Sequence, residues 1–566
     1  MSTVPQQPDS ELQPAASFAT DLYPQTVPKH LHLPQIPAWG LLDRAACAVP
    51  KNIACSFMGH ELTYDAINGY SDQLAAWLET HGIHKGDRVA VLLPNCPEYS
   101  VALNGIWKAG GVVVAVSPLS VASDVRKLVD FTGCKLAITL DLLSGLLPKA
   151  QRIPQLLVSL RPYLPAWKRA GYLAALWHRT GHVRYPRTGT QAWFWSAVEE
   201  TTRDRSHVSI DPEVEPAYIL STGGTTGDPK AVTLSHKNIV ANAWQQMVWA
   251  GATMGQETML AVLPFFHSYG MSTMIGSGAA LGARLVMLPR FNTKLTVDAI
   301  VKHRPTVFHA VPAMLSAMNA HLRKCPADMS SIKWVISGGA SLPQDVAEEF
   351  AEHSGAIVVE GYGLSEASPV THVGPLDGTN VSGTIGLPLP NTECRLSRID
   401  DPYTDVEAGE VGELYVRGPQ VMLGYWENTE ATRESIVDGW LRTGDLACRT
   451  PVGFYKIVDR KKDLIITSGF NVYPADVEQV LRTCEEIKDV AVIGQPDDQR
   501  GEVVTAFVVL EDGCKWCSRS LEKFSKVHLA AHRRPRVWHH VKDDLPRNFL
   551  GKVIRRHLKN HLGEQK

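Results

Sequence analysis

The sequence has no uninterrupted apolar run long enough to cross a bilayer, and it has no excess of charge of either sign. Among its 566 residues, 56 lysines and arginines stand against 58 acidic residues, which gives a formal net charge of -2. A transmembrane helix needs about 20 consecutive apolar residues, and a nucleic-acid-binding domain usually carries a clear cationic excess. We therefore expect neither a membrane-spanning protein nor a nucleic-acid-binding one.

The chain also lacks the features of a secreted or zinc-stabilised protein. Its start, MSTVPQQPDSELQPAASF, is polar and proline-rich, without the basic-then-apolar order of a signal peptide. The ten cysteines are scattered, and the one close pair, Cys514 and Cys517, has no second pair or histidine cluster to complete a zinc site. These absences favour a cytoplasmic location.

Short apolar runs alternate with longer amphipathic segments from about Gly86 onward. RVAVLLPN, GVVVAVSP, TVFHAVP and AIVVEGYG have the length and β-branched content of buried strands, whereas DVRKLVDF and PQDVAEEFAEH have helical periodicity. Such alternation predicts parallel sheets covered by helices.

The pattern changes twice toward the C-terminus. After Gly383, glycines and turns separate short strands, and beyond Asp459 about a hundred residues have a mixed helix and strand pattern. The sequence therefore predicts an α/β protein with an N-terminal polar segment (1–38), a large domain of parallel helix-flanked sheets (39–458) and a small α+β C-terminal domain (459–566). The large domain includes a β-rich subdomain (383–458).

Residues 142–198 contain no acidic residue and carry eight cations interleaved with leucine, tyrosine and tryptophan. The cations are Lys149, Arg152, Arg161, Lys168, Arg169, Arg179, Arg184 and Arg187. Cations meet anionic headgroups at a membrane surface, and aromatic rings settle at the interface. The segment predicts peripheral contact with the inner membrane surface, and a solvated basic surface excursion is the alternative.

Residues 220–230, LSTGGTTGDPK, are the most informative about chemistry. Glycines let backbone N–H groups turn toward one anion, while hydroxyls and a lysine add donors and charge, so the composition indicates a phosphate-binding loop. A Walker motif needs Gly immediately before Lys, whereas Pro229 precedes Lys230 here, and a P-loop NTPase is disfavoured. A flexible linker is the alternative for such a loop in isolation. The candidate phosphate-binding residues are Thr222, Gly223, Gly224, Thr225, Thr226, Gly227 and Lys230.

This loop resembles the phosphate-binding signature of the adenylate-forming superfamily, which contains acyl- and aryl-CoA synthetases, adenylation domains and luciferases. Segments 360–366 (EGYGLSE), 439–445 (GWLRTGD), 459–463 (DRKKD) and 546–552 (PRNFLGK) are similar to the superfamily's other motifs, in its order. The match covers nearly the whole chain from about residue 40. The TGGTTG loop and GFNVYP are closest to bacterial long-chain fatty acyl-CoA ligases.

The resemblance implies that ATP activates a carboxylic acid as an acyl-adenylate, which is then transferred to coenzyme A with release of AMP and pyrophosphate. By that resemblance, Lys552 holds the carboxylate against the α-phosphate, and Glu366 binds Mg²⁺. Ser365 stands where the family usually has threonine and keeps its hydroxyl for a phosphate, as does Thr222. His267 borders the acyl carboxylate. Read alone, the Lys552 segment also fits a basic surface helix.

The nucleotide's base and sugar have their own predicted contacts. Tyr362 offers a ring face to adenine, Asp445 resembles the family's ribose-binding aspartate, and Arg460 adds a guanidinium contact. A packed core tyrosine, a turn aspartate and a solvated charge run are the alternatives for these three. The backbone that would approach the adenylate belongs to Gly338, Gly339, Ala340, Gly361 and Gly363.

The resemblance also implies motion, because Lys552 and Arg460 belong to the small domain and Glu366 to the large one. In the family the small domain rotates between an adenylating and a thioester-forming pose about a hinge that matches Asp459. Ser468, Gly469 and Phe470 then line the channel for the pantetheine arm of CoA. A hinge that assembles one site at a time is a known device.

The sequence favours a medium- to long-chain fatty acid as the substrate. Amino-acid-activating relatives place an aspartate in the motif that reads PFFHSYG at 264–270 here, and an unpaired buried ammonium is costly. Pocket depth is expected to depend on residues between Val311 and Thr371, where Met314, Leu315 and Met318 fit a core equally well. A ligase that loads a carrier-protein phosphopantetheine, an aryl-CoA ligase and an inactive acyl-binding protein are the alternatives.

Overall fold

The computed structural model describes residues 22–149, 152–181, 190–202, 208–222, 230–497, 499–547 and 551–563. The strands, in chain order, are β1 Ile53–Phe57, β2 His60–Thr63, β3 Arg88–Leu92, β4 Val112–Ala115, β5 Leu136–Leu140, β6 Gln155–Val158, β7 Gln191–Trp193, β8 Pro216–Thr222, β9 Lys230–Ser235, β10 Thr258–Ala261, β11 Arg284–Met287, β12 Val307–Ala310, β13 Trp334–Ser337, β14 Ile357–Gly363, β15 Val370–Val373, β16 Leu387–Pro388, β17 Glu393–Ser397, β18 Gly412–Arg417, β19 Gly424–Tyr425, β20 Ile436–Val437, β21 Trp440–Arg449, β22 Tyr455–Arg460, β23 Ile465–Thr467, β24 Phe470–Val472, β25 Ile487–Asp497, β26 Gly501–Leu510 and β27 Val537–His540.

The helices, in chain order, are α1 Gly40–Ala48, α2 Tyr64–Thr80, α3 Pro97–Lys108, α4 Ala122–Phe131, α5 Ala166–Thr180, α6 Phe194–Glu199, α7 His236–Ala250, α8 Ser268–Gly270, α9 Ser277–Leu281, α10 Thr293–His303, α11 Pro312–Leu322, α12 Gln344–Ser354, α13 Thr429–Ser435, α14 Pro474–Leu481, α15 Ser518–His528 and α16 Arg555–Gly563. A π-helical turn, Met271–Gly276, joins α8 to α9.

Two large sheets form the N-terminal part of the molecule. The nine-stranded sheet has the order β16-β15-β14-β13-β12-β10-β11-β1-β2, parallel from β14 to β1 and antiparallel at both edges. The eight-stranded sheet has the order β19-β9-β8-β4-β3-β5-β6-β7, parallel from β8 to β7. The predicted α/β class with mainly parallel sheets is confirmed.

The predicted β-rich region is built around a third sheet but contributes to the large sheets as well. Strands β17, β18, β20, β21 and β22 form an antiparallel sheet over a small core that includes Leu414, Val416 and Ala447. However, β16 pairs with β15 in the nine-stranded sheet, and β19 pairs with β9 in the eight-stranded one. The two short strands β16 and β19 therefore connect this region to both large sheets by backbone pairing.

The C-terminal part has its own sheet and its own cores. Strands β23 to β27 form one sheet, and two hydrophobic clusters consist only of buried residues from between positions 465 and 558. A separate core supports a small C-terminal domain. Its predicted boundary at Asp459 remains a prediction, since Asp459 itself lies in β22, a strand of the third sheet.

The acid-free segment extends the edge of the eight-stranded sheet. It supplies β6, β7 and the helix α5, whose Trp167 and Trp177 are 76% and 62% exposed. The fully buried Glu98 anchors the acid-free segment. Its Oε1 accepts hydrogen bonds from the Tyr163 hydroxyl at 2.8 Å and from Trp195 Nε1 at 2.9 Å. Arg184 and Arg187 lie outside the described residues. In the described part of the chain, no helix combines the length and apolar character required for a membrane span.

Candidate active site

Three predicted nucleotide contacts meet at the junction of the large sheet and the third sheet. Asp445 on β21 and Arg460 on β22 are cross-strand partners, and Arg460 Nε lies 2.7 Å from Asp445 Oδ1. The Tyr362 hydroxyl, from β14, donates to Asp445 Oδ2 at 2.6 Å. Asp445 is 3% exposed, so its carboxylate is shielded from water. Motifs that are separated by 83 residues in sequence thus share one carboxylate.

The backbone around Tyr362 can be approached closely. A Cβ on Gly338 would lie 3.0 Å from the Tyr269 ring, and a Cβ on Gly363 would lie 2.0 Å from the Pro369 carbonyl oxygen. Glycine is therefore required by packing at Gly363, while Gly338, Gly339, Gly361 and Gly363 all line the same cavity. Ala340 follows Gly339 in the same loop, after β13.

Glu360 borders the site, although the sequence motifs assigned no role to it. Its Oε2 accepts the Leu342 backbone N–H at 3.1 Å and so ties the loop after β13 to the end of β14. Burial raises the pKa of Glu360 to about 7. A carboxylate among strand-end glycines gives no distinct sequence signal, because its burial depends on packing between distant segments.

Glu366, Ser365 and Lys230 lie in one cluster around Tyr425. The Tyr425 hydroxyl donates to Glu366 Oε1 at 2.9 Å, and Lys230 Nζ lies 4.8 Å from the centre of the Tyr425 ring. The Ser365 and Ser268 hydroxyls are 3.1 Å apart. Among the described residues, no group of three or more His, Cys, Asp or Glu is arranged to hold a metal ion.

The predicted phosphate loop itself falls mostly outside the described residues. Gly223, Gly224, Thr225, Thr226 and Gly227 are not described, and Thr222 is described only as the last residue of β8. The two ends of the loop are fixed, because Thr222 and Lys230 are register partners in the β8–β9 pair.

Lys552 reaches the same junction from the C-terminal domain. Burial, with the positive charges of Arg460 and Arg555, lowers the pKa of Lys552 to about 8, and Asp445 and Asp463 act in the opposite direction. The preceding Gly551 has φ +81°, and a Cβ there would lie 3.1 Å from Cβ of Ala313 on α11. The turn before Lys552 therefore touches the large domain.

Asp459 joins the third sheet to the first helix of the C-terminal domain. Its Oδ1 accepts the Arg460 N–H at 2.7 Å, and its Oδ2 accepts the Ala475 N–H, at the start of α14, at 2.8 Å. Burial raises the pKa of this carboxyl group. The Asp459 side chain therefore links the end of β22 to the start of α14.

The predicted CoA-channel residues stand apart from this cluster. Ser468 and Gly469 form the two-residue turn between β23 and β24, with φ values of +51° and +81°. Phe470 is 55% exposed and stacks on the His532 ring at 4.8 Å. None of the three lines the main cavity.

One cavity runs along the nine-stranded sheet. One end is lined by Gly338, Gly361 and Tyr362, and the other by apolar side chains that include Trp249 and Trp334. Gly338 is four residues beyond Trp334 along the sheet, so this part of the cavity is about 13 Å long at ~3.3 Å per strand residue. The predicted nucleotide site therefore opens directly into an apolar space.

His267 lies against this cavity next to the nucleotide end. Its Nδ1 accepts the Tyr269 backbone N–H at 3.2 Å, which leaves the ring proton on Nε2. Burial lowers the pKa of His267 to about 4, so the ring is neutral near pH 7 and offers an N–H donor.

The cavity lining extends beyond the 311–371 range on which the pocket depth was expected to depend. Met314, Leu315 and Met318 pack into a separate core with Phe308 and do not line the cavity. Residues that do line it include Trp249 on α7 and Ser277 on α9, both outside the 311–371 window. No motif marks them, because they belong to ordinary apolar helices.

Two family models match the chain. The model described as AMP-binding enzyme matches residues 42–426, and the model described as AMP-binding enzyme C-terminal domain matches residues 476–552. The chain therefore belongs to the family of AMP-binding enzymes. This confirms the superfamily resemblance that the five motifs indicated.

The relatives narrow the class further. The long-chain-fatty-acid–CoA ligase of Bacillus subtilis is 39% identical over 95% of this chain and 96% of its own length. The enzyme of the same name from Salmonella typhimurium is 33% identical over 95% of this chain and 97% of its length. ATP-bound MatB from Rhodopseudomonas palustris has a TM-score of 0.78 at 25% identity, covering 93% of this chain and 99% of that one.

Proposed function

We propose that this chain is an acid–thiol ligase that converts a medium- to long-chain fatty acid to acyl-AMP and then to acyl-CoA. The observation that carries the proposal is the single cavity that joins Gly338, Gly361 and Tyr362 to an apolar interior. A nucleotide held at one end and an alkyl chain in the other would meet at the carboxylate. The names of the curated relatives support the same reaction.

In the first half-reaction the carboxylate oxygen attacks the α-phosphorus, and the bond to the bridging oxygen of pyrophosphate breaks. Negative charge is crowded in that transition state, and preorganised cations and N–H donors stabilise it. Lys552 would supply the charge and His267 Nε2–H a donor beside the acyl oxygen. Asp445 accepts a hydrogen bond from Tyr362 and forms an ion pair with Arg460, and its roughly four lone-pair sites leave capacity for ribose hydroxyls.

The residues present fit a Mg²⁺ ion that arrives with ATP. Mg²⁺ usually binds substrate phosphates with one or two carboxylates and several waters. Glu366, oriented by Tyr425, would be that carboxylate, with the Ser365 hydroxyl nearby. When bound, the ion would neutralise phosphate charge.

In the second half-reaction the thiol of CoA attacks the acyl carbonyl, and AMP leaves with the bonding electron pair. The charges of Arg460 and Asp445 act on Lys552, and the turn before Lys552 touches α11, which favours the adenylating pose for the arrangement described here. Rotation about Asp459 would then carry Lys552 out and bring the 468–470 turn to the cavity. The exposure of that turn supports this part of the proposal.

The enzyme is also proposed to be cytoplasmic and to touch the inner membrane surface through α5. At about 100° per residue, Trp167, Ala170, Ala174 and Trp177 fall within about 80° on one face of the helix. All four are exposed, and the buried Leu176 lies on the opposite side. Lys168 Nζ lies 4.8 Å from the centre of the Trp167 ring and so reaches the edge of this face, whereas Arg179 lies about 160° from the centre of the face. An exposed apolar and aromatic face beside cations is typical of helices that lie on anionic bilayers.

The deciding experiment is a screen over saturated acids of graded length, with pyrophosphate release and thioester formation measured separately. We expect both products from medium and long chains with CoA as the acceptor. Pyrophosphate without acyl-CoA would favour a carrier-protein thiol as the acceptor. Activity confined to aromatic acids would favour an aryl-CoA ligase, and no activity with any acid would contradict the proposal.

A further inference from the structure

The apolar part of the cavity contains a buried hydroxyl that has no hydrogen-bond partner among the described residues. Ser277, the first residue of α9, is 2% exposed and lines the cavity. Its Oγ makes no hydrogen bond to any residue that the structure describes. Leaving such a group unsatisfied costs about 1–3 kcal/mol, so its position against an alkyl-sized space calls for a ligand or a water.

A second polar group lies on the same helical wall. Gln246 Nε2 donates to Ser272 Oγ at 2.9 Å and to Asn242 Oδ1 at 3.0 Å. Ser272 and Ser277 are five residues apart across the π-helical turn, a spacing that puts them on one face. Gln246 lines the cavity with its amide nitrogen already engaged, so the group it can offer is the acceptor Oε1.

The sheet wall contributes an acceptor from His309 on β12. The Tyr269 hydroxyl donates to the Ile336 carbonyl at 3.0 Å and lies 3.4 Å from His309 Nδ1. Because the phenol has one proton, Nδ1 carries the ring proton toward the phenol oxygen, and Nε2 is left as an acceptor. Burial lowers the pKa of His309 to about 3, so the ring is neutral.

We propose that the enzyme prefers acids with a hydroxyl group on the acyl chain, recognised by Ser277, His309 and Gln246. This inference rests on the proposed fatty acid activation. A hydroxyl can accept from Ser277 and donate to His309 Nε2 or Gln246 Oε1, whereas a keto oxygen can only accept. A second carboxylate would need a cation, and the described lining contains none.

The register of the sheet locates the hydroxyl along the chain. His309 pairs with Ile336, two residues before Gly338, which is about 7 Å at ~3.3 Å per residue. An extended alkyl chain advances roughly 1.25 Å per carbon, for C–C bonds of about 1.5 Å in a tetrahedral zigzag. If the carboxylate lies beside His267 and Gly338, His309 lies beside the interior of a long acyl chain, at about the sixth carbon.

The test compares hexadecanoic acid with its monohydroxy isomers, substituted near the carboxyl group, at mid-chain or at the terminal carbon. We expect the full-length enzyme to have a kcat/KM for the mid-chain isomer about tenfold above those for the other isomers. Ser277→Ala and His309→Phe should each reduce this preference severalfold, and Ser277→Thr, which keeps a hydroxyl, should retain it. Ratios measured in one preparation are independent of the amount of folded enzyme.

Two failures of the test are distinguishable. If hexadecanoic acid is converted to its CoA ester but the isomers react alike, and Ser277→Ala leaves their ratios unchanged, the hydroxyl proposal is wrong. A bound water would then satisfy these side chains. If neither hexadecanoic acid nor any isomer forms a thioester, the proposed function itself fails, and this inference with it.

Discussion

At the scale of single residues, the charges of the site depend on burial that the local sequence does not reveal. Lys552 is close to losing its proton near neutral pH, whereas Glu360 keeps its proton to an unusually high pH. Both shifts arise mainly from removal of water, which disfavours the charged form. Each shift makes a prediction with a defined pH window.

Lys552 should impose a limit on activity at alkaline pH. Its pKa is lowered to about 8, so the ammonium is present below that pH and is lost above it. The value of kcat/KM for ATP reports ionisations of the free enzyme. We expect it to fall as the pH rises through about 8 when acid-dependent ATP–pyrophosphate exchange is measured. A profile that stays flat to pH 9.5 would show that the charge on Lys552 is not needed.

Glu360 should make the fold less stable as the pH rises. Its folded pKa of about 7 lies above the usual 4.5, so the folded state binds more protons between these values and stability falls across that window. Glu360→Gln cannot ionise and should gain about 1–3 kcal/mol over the wild type between pH 4.5 and pH 7. Urea unfolding at both pH values measures this gain.

The matched control is Glu352→Gln, which changes an exposed carboxylate on α12. It should show no comparable gain over the same pH range. A Glu360→Gln variant whose advantage does not grow with pH would contradict a buried, protonated Glu360.

At the scale of elements, the acid-free segment is held in part by the buried carboxylate of Glu98. Glu98 accepts from Tyr163 and Trp195, which lie on either side of α5 in the sequence. Glu98→Ala would leave both donors buried without an acceptor, and we expect a loss of about 2–4 kcal/mol of stability. Faster proteolysis within 142–198 should accompany the loss.

Glu98→Gln keeps a carbonyl oxygen in the same place and serves as the matched variant. It should retain most of the stability, because both donors still have an acceptor and no charge is buried. Equal destabilisation by alanine and glutamine would mean that the negative charge, rather than the two hydrogen bonds, anchors the segment.

The face of α5 gives a prediction for the membrane. The double variant Trp167→Ala/Trp177→Ala should bind vesicles of phosphatidylcholine with phosphatidylglycerol about tenfold less well than the wild type. Added salt should weaken wild-type binding, because exposed charges are screened beyond about 8–10 Å. Tyr403→Ala, which removes an equally exposed aromatic side chain in the turn between β17 and β18, is the control. If the double variant binds vesicles as well as the wild type does, α5 is not the membrane contact.

At the scale of the whole molecule, the sequence predicted what depends on local pattern. The central strands of both large sheets are apolar and β-branched, and the motifs lie at turns and strand ends where residue type is restricted. These features identified the α/β class and the family, and they predicted residues around Asp445 and Glu366 that the structure brings together. The position of each motif at a strand end was enough to predict that the motifs lie close together, because the fold brings strand ends together.

The rest depends on packing between distant segments. The contact of Tyr362 with Asp445 joins two sheets, and β16 and β19 are two-residue strands too short for any periodicity. The cavity wall from α7 and α9 resembles any buried helix in sequence, so the sequence did not indicate that these two helices line the cavity. A helix with an apolar sequence lines a cavity, instead of packing into the core, only where the neighbouring sheet leaves space beside it.

The central claim is that the two domains together form one adenylating site, with Lys552 as the contribution of the small domain. The most direct measurement is fatty-acid-dependent ATP–pyrophosphate exchange by Lys552→Ala, beside Lys523→Ala, an exposed lysine of the same domain. We predict that Lys552→Ala lowers exchange by at least about a hundredfold, while CoA transfer from supplied acyl-AMP persists and Lys523→Ala behaves as wild type. Exchange by Lys552→Ala at the wild-type rate would contradict the account.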